Sequence, residues 1–213
     1  MDFFKYVNCG LYVVSSENSG CVINTLTQVN SKDPLVTISI NKDNYTNKII
    51  KKNMNFSVSI LNTDVTMDLI SEFGFKSSEH INKFENVKYK FVDNTSVLTE
   101  NAIGYIICDV IKIVDCDTHD LFIGKVINSE VLNDGNPITY EYYHKVLKGS
   151  TPPKAPSFIK VQKNKESSSK KYQCIICGHV YDDGVETIKF EDLPDNWVCP
   201  KCRVGKDKFR LVD

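Results

Sequence analysis

The chain has 213 residues, 41% of them apolar, and its 26 lysines and arginines nearly balance 27 aspartates and glutamates. That length accommodates one medium domain and one small one, with the composition of an ordinary soluble protein. No run of eighteen apolar residues is present. The N-terminal MDFFKYVNCGLYVV lacks the charged start, long apolar stretch and small-residue cleavage site of an export signal, so a cytoplasmic protein without a membrane segment is expected.

Residues 1–150 read mostly as strands. The runs LYVVS, CVINTL, LVTISI, NFSVSIL, VKYKFV, AIGYIICDVIKIV and LFIGKVINSEVL are rich in Val, Ile, Phe, Tyr and Thr and are separated by Asn, Asp, Gly and Lys clusters. Many short strands suggest a barrel. Two helices interrupt them. One opens near Asn44–Thr46 and runs through Ile49 and Ile50; the other is expected from Thr63 to Glu72, with Val65, Leu69 and Phe73 on one face ahead of Gly74. Cys9, Cys21, Cys108 and Cys116 stand singly among apolar or strand-like residues and read as packing thiols in a reducing compartment. His80, His144 and His179 are assigned surface or packing roles.

Two polar segments are candidate binding elements. Asn24, Thr25, Thr27 and Gln28 place amides and hydroxyls on a strand leading into a loop, the neutral donors and acceptors that a heteroaromatic ring with carbonyl and imide edges needs. Ser39, Asn41, Lys42, Asn44 and Thr46 run from a strand end through a polar loop to a helix start, where backbone amides and a lysine could hold a phosphate. The same residues also read as a capped helix and a solvated loop.

The stretch 151–171 reads as a linker. Its first half carries three prolines, whereas KNKESSSKK has too little apolar surface to stay ordered. Beyond it, Cys174, Cys177, Cys199 and Cys202 form two CxxC pairs separated by 21 residues, each able to place two thiolates on a tight turn, so that two facing turns make a tetrahedral sulfur cage. Spacing does not choose between zinc and a single iron. Tyr172, Tyr181, Phe190, Trp197 and Phe209 would build a dry wall round the metal, which tunes an iron potential. Residues 172–213 hold eight acidic against six basic side chains, which argues against a phosphate-binding zinc ribbon and against nucleic acid as a partner.

With CxxCG, YDD, FEDLPxxWxCPxC and KxxF, residues 172–213 resemble rubredoxin, a one-electron carrier with a mononuclear Fe(Cys)4 site. The stretch between Tyr181 and Phe190 is shorter than in most rubredoxins. GLYVVSS, INTLTQVNSKDPLVTISINKDNYTNKIIKK, FSVSIL, FGFKSSEHINKF, DTHDLFIGKV and PITYEYYHKVLKGSTPPKAP, across residues 1–156, resemble the flavin-reductase-like FMN-binding split-barrel family. That resemblance implies a homodimer with the FMN ring near Asn24, Thr25, Leu26, Thr27 and Gln28, the phosphate near Ser39, Asn41, Lys42, Asn44 and Thr46, and His119 beside the nicotinamide of NADH or NADPH. In FKSSEHINKF the family's GxSGxxxDKF-like stretch is altered, and only Lys83 is carried over as a cofactor contact.

The expected fold is therefore mainly β: a split barrel over 1–150, a linker over 151–171 and a metal module over 172–213. The fusion resembles the high-molecular-weight rubredoxins of anaerobes. It implies hydride transfer from NAD(P)H to FMN, single electrons onward to iron, and a flavodiiron oxygen or nitric oxide reductase as acceptor. Two alternatives stay open: a free flavin reductase that releases its reduced flavin, and a flavin-binding redox sensor with a structural zinc ribbon. No Gly-rich fingerprint is available to choose between NADH and NADPH.

Overall fold

A computed structural model describes residues 7–147, 149, 155, 170–186 and 188–212, so most of the expected linker lies outside the described residues. In chain order the first domain contains β1 (Tyr12–Ser16), β2 (Ser19–Ile23), β3 (Leu26–Asn30), β4 (Leu35–Asn41), α1 (Tyr45–Asn53), β5 (Asn55–Leu61) and α2 (Met67–Phe75). It continues with β6 (Tyr89–Val92), β7 (Thr95–Leu98), β8 (Ala102–Cys116), β9 (His119–Val131) and α3 (Tyr140–Lys145). The C-terminal part holds β10 (Lys171–Cys174), β11 (Val180–Asp182) and β12 (Phe209–Leu211).

Seven strands form one antiparallel sheet in the order β2-β1-β5-β8-β9-β4-β3. Its two edge strands are consecutive in the chain, joined only by Asn24 and Thr25. Three Cα steps reach at most about 11 Å, whereas the edges of a flat seven-stranded sheet would stand about 29 Å apart. The sheet must curl until its edges almost meet, which is a barrel left split along one seam. The run CVINTL, expected as one strand, is thus broken at Asn24–Thr25, and its halves go to opposite edges.

Alternation along β4 turns Val36, Ile38 and Ile40 inward, where they meet Val14, Phe56, Val58, Cys108 and Phe122. The neighbouring Val13 faces the other way, into a second core layer with Leu69, Ile70 and Phe73 of α2, Phe84, and Tyr143 of α3. Strand β1 is therefore buried on both faces, and α2 covers the barrel from outside. Helix α2 begins at Met67, later than the expected Thr63, because the Thr66 side chain caps it by accepting the Leu69 amide at 3.3 Å, and it continues through Gly74 to Phe75. Neither β7 nor α3 is among the expected elements.

Helix α1 starts where the sequence places it. The Asn44 side chain accepts the Thr46 amide at 3.0 Å, and the helix ends on Met54 in the left-handed region at φ 54°. Asp120 on β9, only 3% exposed, locks α1 to the barrel by accepting from Asn47 Nδ2 at 2.9 Å and pairing with Lys51 at 2.6 Å. Burial alone would raise the Asp120 carboxyl, but Lys51 and Asn47 outweigh it and hold it below the usual carboxylate range. Because the folded value is depressed, this stabilisation is present above the unfolded value near pH 4 and is lost as pH falls through the folded one. Asp120→Ala leaves one Asn47 amide hydrogen buried without a partner, and is expected to cost about 2 kcal/mol in urea unfolding at pH 7. The difference from the parent protein should shrink below pH 4; a constant difference would mean that the carboxylate charge is not what holds α1.

The C-terminal strands form a small sheet in the order β11-β10-β12. Rings do most of its packing. Tyr172 stacks on Phe190 at 4.2 Å, and Trp197 meets Tyr181, Phe190 and Phe209 edge-on at 5.6, 5.8 and 5.3 Å. Lys206 closes the turn beside them by donating to the carbonyls of Glu191 at 2.8 Å and Leu193 at 2.9 Å.

Candidate functional site

The four cysteines of the small domain are fully sequestered and come from two turns. All four sulfurs lie within 4.8 Å of one another, with Cys174 and Cys202 at 3.7 Å and Cys177 and Cys199 at 3.6 Å. A tetrahedral ion about 2.3 Å from each sulfur sets them about 3.8 Å apart, so the cage already has metal dimensions. Backbone amides of Cys177, His179, Lys201 and Val204 stabilise the thiolates of Cys174, Cys177, Cys199 and Cys202 in turn. Without a cation four thiolates this close cannot all ionise. Hydrogen bonds from Cys177, Cys199 and Cys202 drive Cys174 far below the ordinary thiol range, while Cys177 is pushed far above it. His179 stays outside the cage with its ring edge-on to Phe209 at 6.4 Å.

The second feature is a cavity of about 570 Å³ beside the barrel seam. One end is polar: Asn24 from the β2–β3 link, Ser39 and Asn41 from the end of β4, Asp43 from the β4–α1 loop, and Asn44 at the start of α1. The rest is mainly apolar or aromatic, from Cys21 to Ile23 of β2, from Gly74 and Phe75 of α2, and from Tyr140 and Tyr143 of α3. The wall is completed by Ile175, Ile176, Val204 and Lys208 of the metal domain. Amides and a hydroxyl beside a helix N-terminus, with the Asp43 carboxylate next to them, suit the polar part of a ligand at one end, and the apolar remainder suits a planar ring, so the residues present fit a flavin.

The candidate residues divide between this cavity and its surroundings. Asn24, Ser39, Asn41 and Asn44 line it. Thr25 is spent on structure, its hydroxyl donating to Ser39 O at 3.1 Å and accepting Ser39 N–H at 3.0 Å. Leu26 packs against the barrel core, and Thr27 and Gln28 are exposed on the edge strand β3. Lys42 reaches across to Asp115 at 2.6 Å, and Thr46 is buried with its hydroxyl 2.9 Å from that of Ser19. Lys83 is buried in the layer under α2, where Nζ donates to Gly20 O at 2.9 Å and Phe73 O at 3.0 Å, and desolvation lowers it to about 8. His119 sits at the tip of the β8–β9 hairpin opposite Asn41, outside the cavity lining. Its Nδ1 is 2.9 Å from the Thr118 hydroxyl, and its Nε2 is buried without a hydrogen-bond partner among the described residues.

Other lining residues were not singled out for binding from sequence: Cys21, and Phe75 to Ser77 with His80 from the segment after α2. His80, read as a surface or packing residue, is exposed and also borders the cavity. The signal was the segment's position in FGFKSSEHINKF, between the α2 pattern and Lys83.

A split barrel with a largely apolar cavity beside its seam, joined to a four-sulfur cage, defines a flavin-reductase-type domain fused to an electron-carrier domain. The chain belongs to that family: residues 4–150 match the flavin reductase like domain and residues 171–209 match rubredoxin. It is 38% identical, over 95% of each chain, to the high molecular weight rubredoxin of Moorella thermoacetica. The ferric-chelate reductase (NAD(P)H) of Archaeoglobus fulgidus is 37% identical over 71% of this chain and 93% of its own. Among solved structures, a Streptomyces globisporus NADH:FAD oxidoreductase in complex with NAD and FAD fragments superposes with a TM-score of 0.58 at 20% identity, covering 64% of this chain and 82% of that one. No helix among the described residues is long and apolar enough to cross a membrane.

Proposed function

We propose that the chain is an NAD(P)H-dependent flavin oxidoreductase that passes electrons through its own Fe(Cys)4 centre to an external acceptor. The observation that carries this reading is the shared wall: Ile175, Ile176 and Val204, next to the cage cysteines, face the same cavity as Asn24, Ser39, Asn41 and Asn44. When bound, FMN would supply the conversion of a two-electron hydride into single electrons, and iron would supply a one-electron store.

The chain's own residues set up that exchange. Asn44 and the α1 N-terminus would hold the phosphate, while Asn24, Ser39 and Asn41 would meet the polar edge of the ring. Phe75, Tyr140 and Tyr143 keep water from the ring's apolar part. In the small domain, Cys174, Cys177, Cys199 and Cys202 would hold the iron, and the amides on their sulfurs favour the state with more negative charge. His119 is proposed for the nicotinamide side, because it pairs across the strands with the cavity residue Asn41 and its Nε2 has no partner among the described residues. His119→Ala is expected to raise KM for NADH several-fold without loss of bound flavin, checked by steady-state kinetics and absorbance; an unchanged KM removes the residue from the site.

Onward transfer to a flavodiiron protein, pairing of two copies and a cytoplasmic location belong to the same proposal. Pairing is supported by the β8–β9 hairpin, which exposes the apolar side chains of Ile111, Ile127 and Val131. The deciding experiment is anaerobic addition of NADH with the yellow flavin and red ferric bands followed separately. The proposal requires the flavin to bleach first and the iron after it. A colourless cage holding zinc, or a red band that never bleaches, would favour the sensor reading.

A further inference from the structure

The two turns of the metal domain correspond bond for bond. Cys174 N–H donates to His179 O at 2.8 Å and Gly178 N–H to Cys174 O at 2.9 Å; Cys199 N–H donates to Val204 O and Arg203 N–H to Cys199 O, both at 2.8 Å. In each turn the residue after the second cysteine is left-handed, Gly178 at φ 76° and Arg203 at φ 58°. Glycine adopts that backbone freely, but a residue with a Cβ does not. The first turn therefore carries the residue its geometry favours, and the second carries one it disfavours.

The side chain at the disfavoured position leaves its own domain. Arg203 Nε lies 3.1 Å from Asp68 Oδ1 in the first turn of α2. Two more contacts follow along that helix. The buried Ser71 hydroxyl is 3.4 Å from Cys202 O, and Phe75 joins the apolar cluster that contains all four cage cysteines. Positions 68, 71 and 75 are spaced i, i+3 and i+7, so they form one stripe of one helix. The same helix presents Gly74 and Phe75 to the cavity.

We infer that the Asp68–Ser71–Phe75 stripe of α2 is a seat for the metal domain of the same chain, and that Arg203 is a positioning residue keying the second cysteine turn into it. The inference rests on the proposed electron flow and adds the route: the iron is reduced from the cavity of its own subunit, against which α2 holds the cysteine turns. Arg203 and Asp68 are 74% and 67% exposed, so their pairing sets register and responds to salt, while burial of Phe75 supplies most of the hold.

Two measurements on the full-length protein test this. The first is hydrogen exchange of the α2 amides, which reads seating without any redox step; the second is the flavin-to-iron step in anaerobic stopped flow. Arg203→Glu and Asp68→Lys, each alone, should speed exchange over residues 68–75 and slow the step by about tenfold, and the double reversal should restore both. Arg203→Gly relieves the backbone, so the metal domain should melt no lower than in the parent protein while the step slows about threefold. Equal α2 protection in all variants overturns the seat. A lower melting temperature in Arg203→Gly overturns the positioning role and makes Arg203 a structural part of its turn. If the parent protein reduces its flavin but never its iron, the electron route fails, and the exchange pattern still decides whether the seat exists.

Discussion

Cys199→Ser is expected to remove the iron, abolish the red absorbance and unfold the small domain, while NADH-dependent flavin reduction continues and the barrel still melts as a unit, at a somewhat lower temperature because Phe75 and the α2 stripe lose their cover. The reason lies in how that domain is built. Its buried cluster consists of the four cysteines, Phe75, Tyr172, Tyr181, Phe190, Leu193 and Phe209, so the metal site is the middle of the core. A unit of about forty residues cannot bury enough apolar surface to fold without a staple. Structural metal binding of this kind contributes on the order of 10 kcal/mol. Losing one thiolate also leaves the other three with no cation to offset their mutual repulsion, and the amide of Lys201 with no anion to stabilise. Metal analysis, visible absorbance and near-ultraviolet circular dichroism check the outcome. Retention of one tightly held iron with an unchanged spectrum would show that the cage is not the four-sulfur site described. Zinc reconstitution of the parent protein gives the complementary result: the domain should fold, colourless, and accept no electrons.

The metal centre was legible because its information is local. Each pair of ligands lies within four residues, and a cysteine, two spacers and a cysteine fix the turn almost irrespective of what surrounds it. Strand content was legible for a similar reason: alternation in LVTISI or the length of AIGYIICDVIKIV reports burial along one short segment. The barrel seam was hidden because CVINTL, rich in β-branched side chains, reads as one short strand. What divides it is the demand of a closed sheet, for which Asn24 and Thr25 are the only link between two edges. Helix α3 was hidden too, since six residues have little helical preference of their own; it depends on the Thr139 cap and on burying Tyr143 against α2 and β1.

The cavity was half legible. Asn24, Ser39, Asn41 and Asn44 line it at points where polar side chains interrupt apolar strands, which is visible in the sequence. Thr25, Lys42, Thr46 and Lys83 carry equally suggestive chemistry, but the fold directs it to Ser39, Asp115, Ser19 and the carbonyls of Gly20 and Phe73. Side-chain type narrows a binding site to a segment, and only the neighbours brought in by topology decide which atoms remain available. The contribution of Ile175 and Ile176 was out of reach of any local reading, because those residues sit more than 130 positions from Ser39 in the chain.

Asn44→Asp offers a sharp test of where the phosphate lies, because it separates the two jobs of that residue. As a helix cap, aspartate is as good as asparagine: a carboxylate oxygen accepts the Thr46 amide as the Asn44 carbonyl oxygen does at 3.0 Å, and a negative charge beside a helix N-terminus is itself favourable. Stability should therefore hold or rise slightly. As a lining residue, aspartate adds a second carboxylate, next to Asp43, to the end of the cavity assigned to a phosphate. Two like charges about 4 Å apart at an effective dielectric of 20 repel by about 4 kcal/mol, so FMN affinity should fall at least a hundredfold. Riboflavin, which has the same ring and no phosphate, should bind almost equally to both proteins. Flavin fluorescence titrations on the apoprotein, with a thermal melt beside them, give all three readings. Equal FMN affinity in the two proteins would move the phosphate away from α1. A matched loss for FMN and riboflavin would instead mean that Asn44 meets the ring.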